Sequence, residues 1–189
     1  MELEIPSAIL EYAQLTYQHY VPKRRYSGFQ EENRQIRGNG DLIALVAALT
    51  LHHEFGKLNK ICTLELTSGA GDSKDLSILV KKQPLLINIK ASAYAPYRPN
   101  LNLFVKEEEL TTEGKKFDAY LQCFVHLAED ELAPHMHVAG GCSTSSEIFK
   151  ECKQIIGVIP NTGGHRGMKI PCERLNPFEN LLQKADEKF

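Results

Sequence analysis

The segment Lys74–Lys90, KDLSILVKKQPLLINIK, carries a carboxylate at Asp75, an amide at Asn88 and an ammonium at Lys90. A carboxylate oxygen is the hard ligand that magnesium-class cations take, and a fixed ammonium can stabilise negative charge that develops beside it. The same two groups can instead form an ordinary cross-strand ion pair, worth about 0.2–1 kcal/mol when exposed. Which of these applies depends on whether the chain brings the groups to one face.

Two short strands would do so. From Asp75 to Val80, Leu76, Ile78 and Val80 alternate with Asp75 and Ser77; from Leu85 to Lys90, Leu85, Ile87 and Ile89 alternate with Asn88 and Lys90. Period-two alternation with β-branched residues predicts half-buried strands. Lys81-Lys82-Gln83-Pro84 is expected to close a four-residue hairpin loop. That register sets Val80 against Leu85, Ser77 against Asn88 and Asp75 against Lys90. Asp75, Asn88 and Lys90 then lie within about 5–8 Å of one another between neighbouring positions. A one-residue slip would send one strand's set to the other face.

Asp75, a gap of twelve residues, and then Asn88-Ile89-Lys90 resembles the PD-(D/E)xK motif of restriction-endonuclease-like nucleases. That family's core is a helix, three antiparallel strands, a helix and a further strand, with the Asp at the start of the second strand and the (D/E)xK on the third. Upstream, Arg37-Gly38-Asn39-Gly40-Asp41 leads into the apolar run Leu42–Leu51, similar to the family's first core helix. Downstream, Phe117–Leu127 and His137–Gly141 resemble the strands after the motif. The resemblance covers residues 35–175, of which about 55 around the motif are specific. It implies an α/β fold with a restriction-endonuclease-like core: a mixed, mostly antiparallel central sheet flanked by helices.

The resemblance also implies a chemistry, hydrolysis of DNA phosphodiester bonds with magnesium or manganese. Asp75 would be the principal metal ligand, the backbone carbonyl of Ile89 the second, and Lys90 the group that holds the attacking water or stabilises charge at phosphorus. Position 88 departs from the family, with Asn where an Asp or Glu is usual. Asn88 offers a carbonyl oxygen without charge, so weaker metal binding and reliance on another acid are expected. Glu65, which shares a strand face with Thr63 and Thr67, and Asp72 and Asp41 are the candidates. Asp41 is equally suited to capping a helix. The alternative is a nuclease-fold subunit without catalysis that binds DNA or another protein.

Net charge −2 and a pI near 6.4 argue against a general nucleic-acid coat protein. A local patch suffices for phosphate contact, and Lys81, Lys82, Arg34, Arg37 and Lys23-Arg24-Arg25 are candidates, each of which would otherwise be a solvated surface charge. Homodimerisation is compatible with cutting both strands. The longest apolar run, about ten residues at Leu42–Leu51, is too short for a membrane span. The N-terminus MELEIPS lacks the basic and apolar regions of a signal peptide. Cys62, Cys123, Cys142, Cys152 and Cys172 have no CxxC spacing, which suits reduced thiols in the cytoplasm. Nothing singles out one of them as a nucleophile. His126, His135, His137 and Cys142 invite a zinc reading, but their spacing matches no finger or ribbon and a wet strand face explains them as well. His165, in a glycine-rich turn, could touch phosphate or simply be exposed.

These residues must be positioned by one domain of 189 residues: an N-terminal helical segment 1–37, a core over about 38–175 and a C-terminal helix over 176–189. Ser7 is expected to cap a first helix with the stripe Ile9, Leu10, Ala13, Tyr17 and Tyr20. Val21–Gly40 reads as a connector, and Asp41 opens a central helix to about Phe55. Strands are expected at Ile61–Leu66, Leu101–Val105, Phe117–Leu127, His135–Ala139, Ile155–Ile159 and Met168–Ile170. Lys106–Lys116 reads as a charged connector. Thr144 with Glu147 is a capping-box pattern for a helix to about Lys153, and Asn176-Pro177 starts the final helix.

Overall fold

The computed structural model describes residues 1–20, 31–57, 61–65, 74–80, 83–93, 101–111, 117–127, 133–159 and 164–180. Among these, the side chains of residues 17–20, 31–41, 61–65, 74–80 and 83–84 lie outside the description. The chain is mixed α/β, built around a mostly antiparallel sheet with helices beside it.

Six strands form that sheet: β1 (Glu2–Glu4), β2 (Ile61–Glu65), β3 (Lys74–Val80), β4 (Gln83–Ala93), β6 (Ala119–His126) and β7 (His135–Ser143), in the order β1-β7-β6-β4-β3-β2. The segment β2–β3–β4 is an antiparallel meander; β6 runs parallel to β4, and β7 returns antiparallel. Parallel neighbours need a crossover. Here the crossover includes β5 (Asn102–Lys106) and a short helix, labelled α3 (Glu107–Thr111). A second, three-stranded sheet has the order β5-β9-β8, with β8 at Gly157–Val158 and β9 at Arg166–Pro171.

The apolar residues sort onto two faces of the large sheet. Ile87 and Ile89 of β4, Leu121, Cys123 and Val125 of β6, and Met136 and Val138 of β7 pack with helix α2 (Glu31–Lys57). That helix is buried from Ile43 to Ala48 and again at Leu51 and Phe55, because the sheet covers one side of it and α1 (Ser7–Tyr20) lies against it as well. On the opposite face, Tyr120, Phe124 and Cys142 meet Leu103 and Val105 of β5, Met168 and Ile170 of β9, and Phe149 and Cys152 of α4 (Glu147–Lys153). Alternate residues of β6 thus feed two cores, as period-two geometry requires.

Several sequence expectations are corrected. The central helix begins at Glu31, so Asp41 stands ten residues inside α2 and does not open it, and Arg34 and Arg37 are on that helix, where a connector was expected. The boundary placed between residues 37 and 38 falls within the same helix. The N-terminal segment also supplies β1, paired with β7 through Glu2–His137 and Glu4–His135. Ser7 is the first residue of α1, and the carbonyl before it, on Pro6, accepts from the amides of Ile9 and Leu10. The N-cap of α4 is Ser146, whose hydroxyl accepts from the Phe149 amide at 3.2 Å. Thr144 instead donates to the carbonyl of Phe117 at 3.1 Å and tethers β7 to the start of β6. Of the region read as a final helix, residues 178–180 are helical and 181–189 lie outside the described residues. Among the described residues, no helix is long and apolar enough to cross a membrane.

The candidate site at the end of the β3–β4 ladder

The β3–β4 register differs from the expected one by two residues. Val80 pairs with Gln83, Leu76 with Ile87 and Asp75 with Asn88. A shift of two preserves every face. The apolar alternation alone could not distinguish these registers, since both match Leu76, Ile78 and Val80 to apolar partners or to the turn. The connection is Lys81-Lys82, two residues rather than four, and both lie outside the described residues. Glu65 pairs with Asp75, so Glu65, Asp75, Asn88 and Tyr120 hold consecutive rungs across β2, β3, β4 and β6. Opposed rungs are about 4.5–5.5 Å apart and share a face of the pleat.

The ladder is uneven at this point. β3 pairs with β4 only as far as Ile89, opposite Lys74, whereas β6 accompanies β4 from Ile87 to Ala93. From Lys90 onward, among the described residues, β4 has a strand on one side alone. The start of the parallel pair is clamped by a reciprocal exchange: the Leu86 amide donates to the Asp118 carboxylate at 2.8 Å, and the Asp118 amide donates to the Leu86 carbonyl at 2.8 Å. Asn88 and Lys90 therefore project from a strand whose position is fixed by its pairing with β6.

Asn88 is fully buried, as are its neighbours Ile87 and Ile89, which point the other way into the α2 core. Lys90 is half-buried. Its Nζ donates to both carboxylate oxygens of Glu109 on α3, at 2.7 and 2.8 Å, with the two side chains only 15% and 20% exposed. Gln122, the rung partner of Lys90 on β6, is buried on the same side. Glu107, at the start of α3, pairs with Arg166 of β9 at 3.2 Å, which brings the chain next to His165 beside the helix that carries Glu109. His165 is exposed, and its carbonyl accepts from the Ile159 amide.

The structure thus brings the rungs of Glu65, Asp75 and Asn88 together and sets Lys90 two residues along. It does not bring Asp41 there through a helix start, since Asp41 lies within α2. The sequence Asp72 lies outside the described residues, and the Arg34 and Arg37 side chains do too. Val80 and Gln83, which flank Lys81-Lys82, stand at the opposite end of the hairpin from Lys90, about 23 Å along β4 at 3.3 Å per residue. Glu109, Gln122 and Arg166 were not singled out from sequence. The one local signal for Glu109 was the run Glu107-Glu108-Glu109 directly after an alternating strand.

Other chemistries fare differently. Burial pushes the Cys123 thiol up to about 12, with the N-terminal ammonium opposing more weakly, and pushes Cys172 up to about 11. Cys142 is also raised, first by burial, against a hydrogen bond with Ser146 at 3.2 Å. Nucleophilic cysteines need the reverse shift. His126 and His135 are rung partners with ring centroids 4.9 Å apart, and His137 hydrogen-bonds Glu2. Among the described residues, no three His, Cys, Asp or Glu side chains are grouped as a metal ion would require. No protein-family model matches the chain, and neither the curated proteins nor the solved structures yielded a match.

Proposed function

We propose that this chain is a metal-dependent nuclease that hydrolyses DNA phosphodiester bonds, with Asp75 and Lys90 at the centre of its site. The observation that carries the reading is the Asp75–Asn88 rung with Lys90 two residues along on the same face of β4. The order of elements supports it: a long helix, an antiparallel three-stranded meander and a crossover to a strand parallel to the third. The helix and the three-strand meander follow the order expected of a restriction-endonuclease-like core, whereas the crossover holds β5 and the five-residue α3 where that family has a core helix.

The donor set suits magnesium or manganese, which take carboxylate and carbonyl oxygens. Asp75 and Glu65, paired across β2 and β3, would hold the cation with the Ile89 carbonyl one residue along β4 from Asn88. When bound, the cation would neutralise phosphate charge and lower the pKa of a water. Lys90 would fix a cationic nitrogen beside the scissile phosphate, and the buried Asn88 would present a neutral amide between Asp75 and Lys90. Phosphate contacts elsewhere would come from Arg34, Arg37, Lys81 and Lys82. Cutting both strands takes two sites, supplied by a homodimer or by successive nicks.

A second reading, a non-catalytic DNA-binding or protein-interaction subunit, is favoured by the neutral Asn88 and by the Lys90–Glu109 ion pair, which engages the ammonium within the protein. Cleavage of plasmid, phage-genome and branched DNA with magnesium or manganese separates the two. Cleavage by the wild type that is lost in Lys90→Ala, by at least about 100-fold, is the expected result. Absence of cleavage on every substrate would favour the second reading.

A further inference from the structure

We propose that Glu109 supplies the second negative charge of the metal site, the charge that Asn88 lacks; this rests on the nuclease reading above. A carboxylate on the (D/E)xK strand would stand two residues from the lysine, on the same face and about 6.6–7 Å away along the strand. Asn88 holds that position without charge. The carboxylate that the fold delivers to Lys90 comes from α3, with Glu109 Oε1 at 2.7 Å and Oε2 at 2.8 Å from Nζ.

The delivery is built, not incidental. α3 follows β5 without an intervening residue, and β5 is held by a five-rung ladder to β9. Glu107 is tied to Arg166 at the end of the same ladder. Glu108 is exposed, whereas Glu109 turns inward to Lys90, with both partners largely shielded from water. Asp75 and Lys90 hold diagonal rungs, about 7–8 Å apart. Asn88 and Lys90 alternate with Ile87 and Ile89 along β4, so the Lys90 ammonium and the Glu109 carboxylate seated on it lie on the face of the sheet that carries the Asp75–Asn88 rung. Two carboxylates on one cation, with the lysine held beside it by Glu109, would restore the charge balance that a single Asp75 leaves short.

The test is calorimetric titration of the full chain with manganese, with melting temperatures measured for each variant. Glu109→Gln, isosteric and neutral, is expected to weaken binding by at least about tenfold. Asn88→Asp in the Glu109→Gln background is expected to recover affinity to within about threefold of wild type, because charge is restored at the other end of the lysine. Unchanged binding in Glu109→Gln, with binding lost in Asp75→Asn, overturns the inference and leaves the nuclease reading standing. Weakened binding that Asn88→Asp does not recover overturns it too, assigning Glu109 to holding Lys90 in place. Tighter binding in Glu109→Gln would make the ion pair inhibitory, again the opposite of the proposal. A wild type that takes up no manganese sinks this inference together with the reading beneath it.

Discussion

Under the proposed nuclease reading Asn88 is the residue on which the chemistry would turn, and its burial makes it testable without any substrate. Asn and Asp have the same shape, so Asn88→Asp adds charge and exchanges the amide's two N–H donors for an acceptor oxygen at a position that is fully buried. An uncompensated buried carboxylate costs several kcal/mol, and the variant is expected to melt below wild type in the presence of chelator. A cation bound beside position 88 offsets this, contributing about 2.7 kcal/mol when its concentration is 100 times the dissociation constant. Manganese is therefore expected to raise the melting temperature of Asn88→Asp by several degrees more than it raises that of wild type. Equal increments in a scanning calorimeter would place the cation away from residue 88. At this scale the sequence was informative wherever a local period acts: Asp75, Asn88 and Lys90 could be assigned a common face because the pleat repeats every two residues. Glu109 could not be found in that way. It meets Lys90 from 19 residues along the chain, through the docking of a second sheet that no local pattern encodes.

Elements were legible in proportion to how much their own pattern determines them. β4, β6 and β9 follow from alternation, and the apolar stretch of α2 from its run of buried residues. The four-residue hairpin loop expected at Lys81–Pro84 is not observed because Gln83-Pro84, which looks like loop chemistry, is strand: Gln83 pairs with Val80 and Pro84 with Leu79. α3 was missed because five residues, three of them Glu, make no amphipathic stripe, and β1 because three residues make no run. One feature at this scale is decided by a single glycine. Gly140 sits at φ +135°, and a Cβ there would lie 2.5 Å from the Asn176 carbonyl oxygen and 3.0 Å from the Leu175 Cβ. Gly141 next to it exchanges two 2.9 Å backbone bonds with Asn176, pinning the segment after β9 to β7. Gly140→Ala is expected to destabilise the fold by at least about 1–3 kcal/mol from backbone strain. Gly157→Ala, with open space around the added carbon, should stay within about 0.5 kcal/mol of wild type. Urea midpoints for the two variants decide the point, and similar shifts would mean that the β7 bridge to Asn176 contributes little.

Across the whole molecule, the site lies on a strand shared between two cores. Ile87 and Ile89 hold β4 against α2, while Asn88 and Lys90 face the layer that contains α3, β5 and β9. β6 divides in the same way, with Leu121 fully buried in the first core and Phe124 buried in the second. Tyr120 belongs to the second core too, stacked on Phe149 with centroids 5.7 Å apart. Removing Leu121 or Phe124 to Ala is expected to destabilise by about 2–5 kcal/mol each. If the sheet couples the layers, both variants lower the midpoint of one common transition, even though their side chains touch different cores. The chain has no Trp, so near-ultraviolet dichroism reports the tyrosines and far-ultraviolet dichroism reports chiefly α1 and α2. Coincident melting by the two probes in wild type, Leu121→Ala and Phe124→Ala is the expected outcome and would support a single domain. Separated transitions would instead mean that the second layer, with Glu109, can leave the sheet while α2 stays folded. The functional consequence follows from the same geometry. Lys90 keeps its carboxylate partner only while both layers are in place, so any cleavage activity should disappear with the first transition, even where helix content persists.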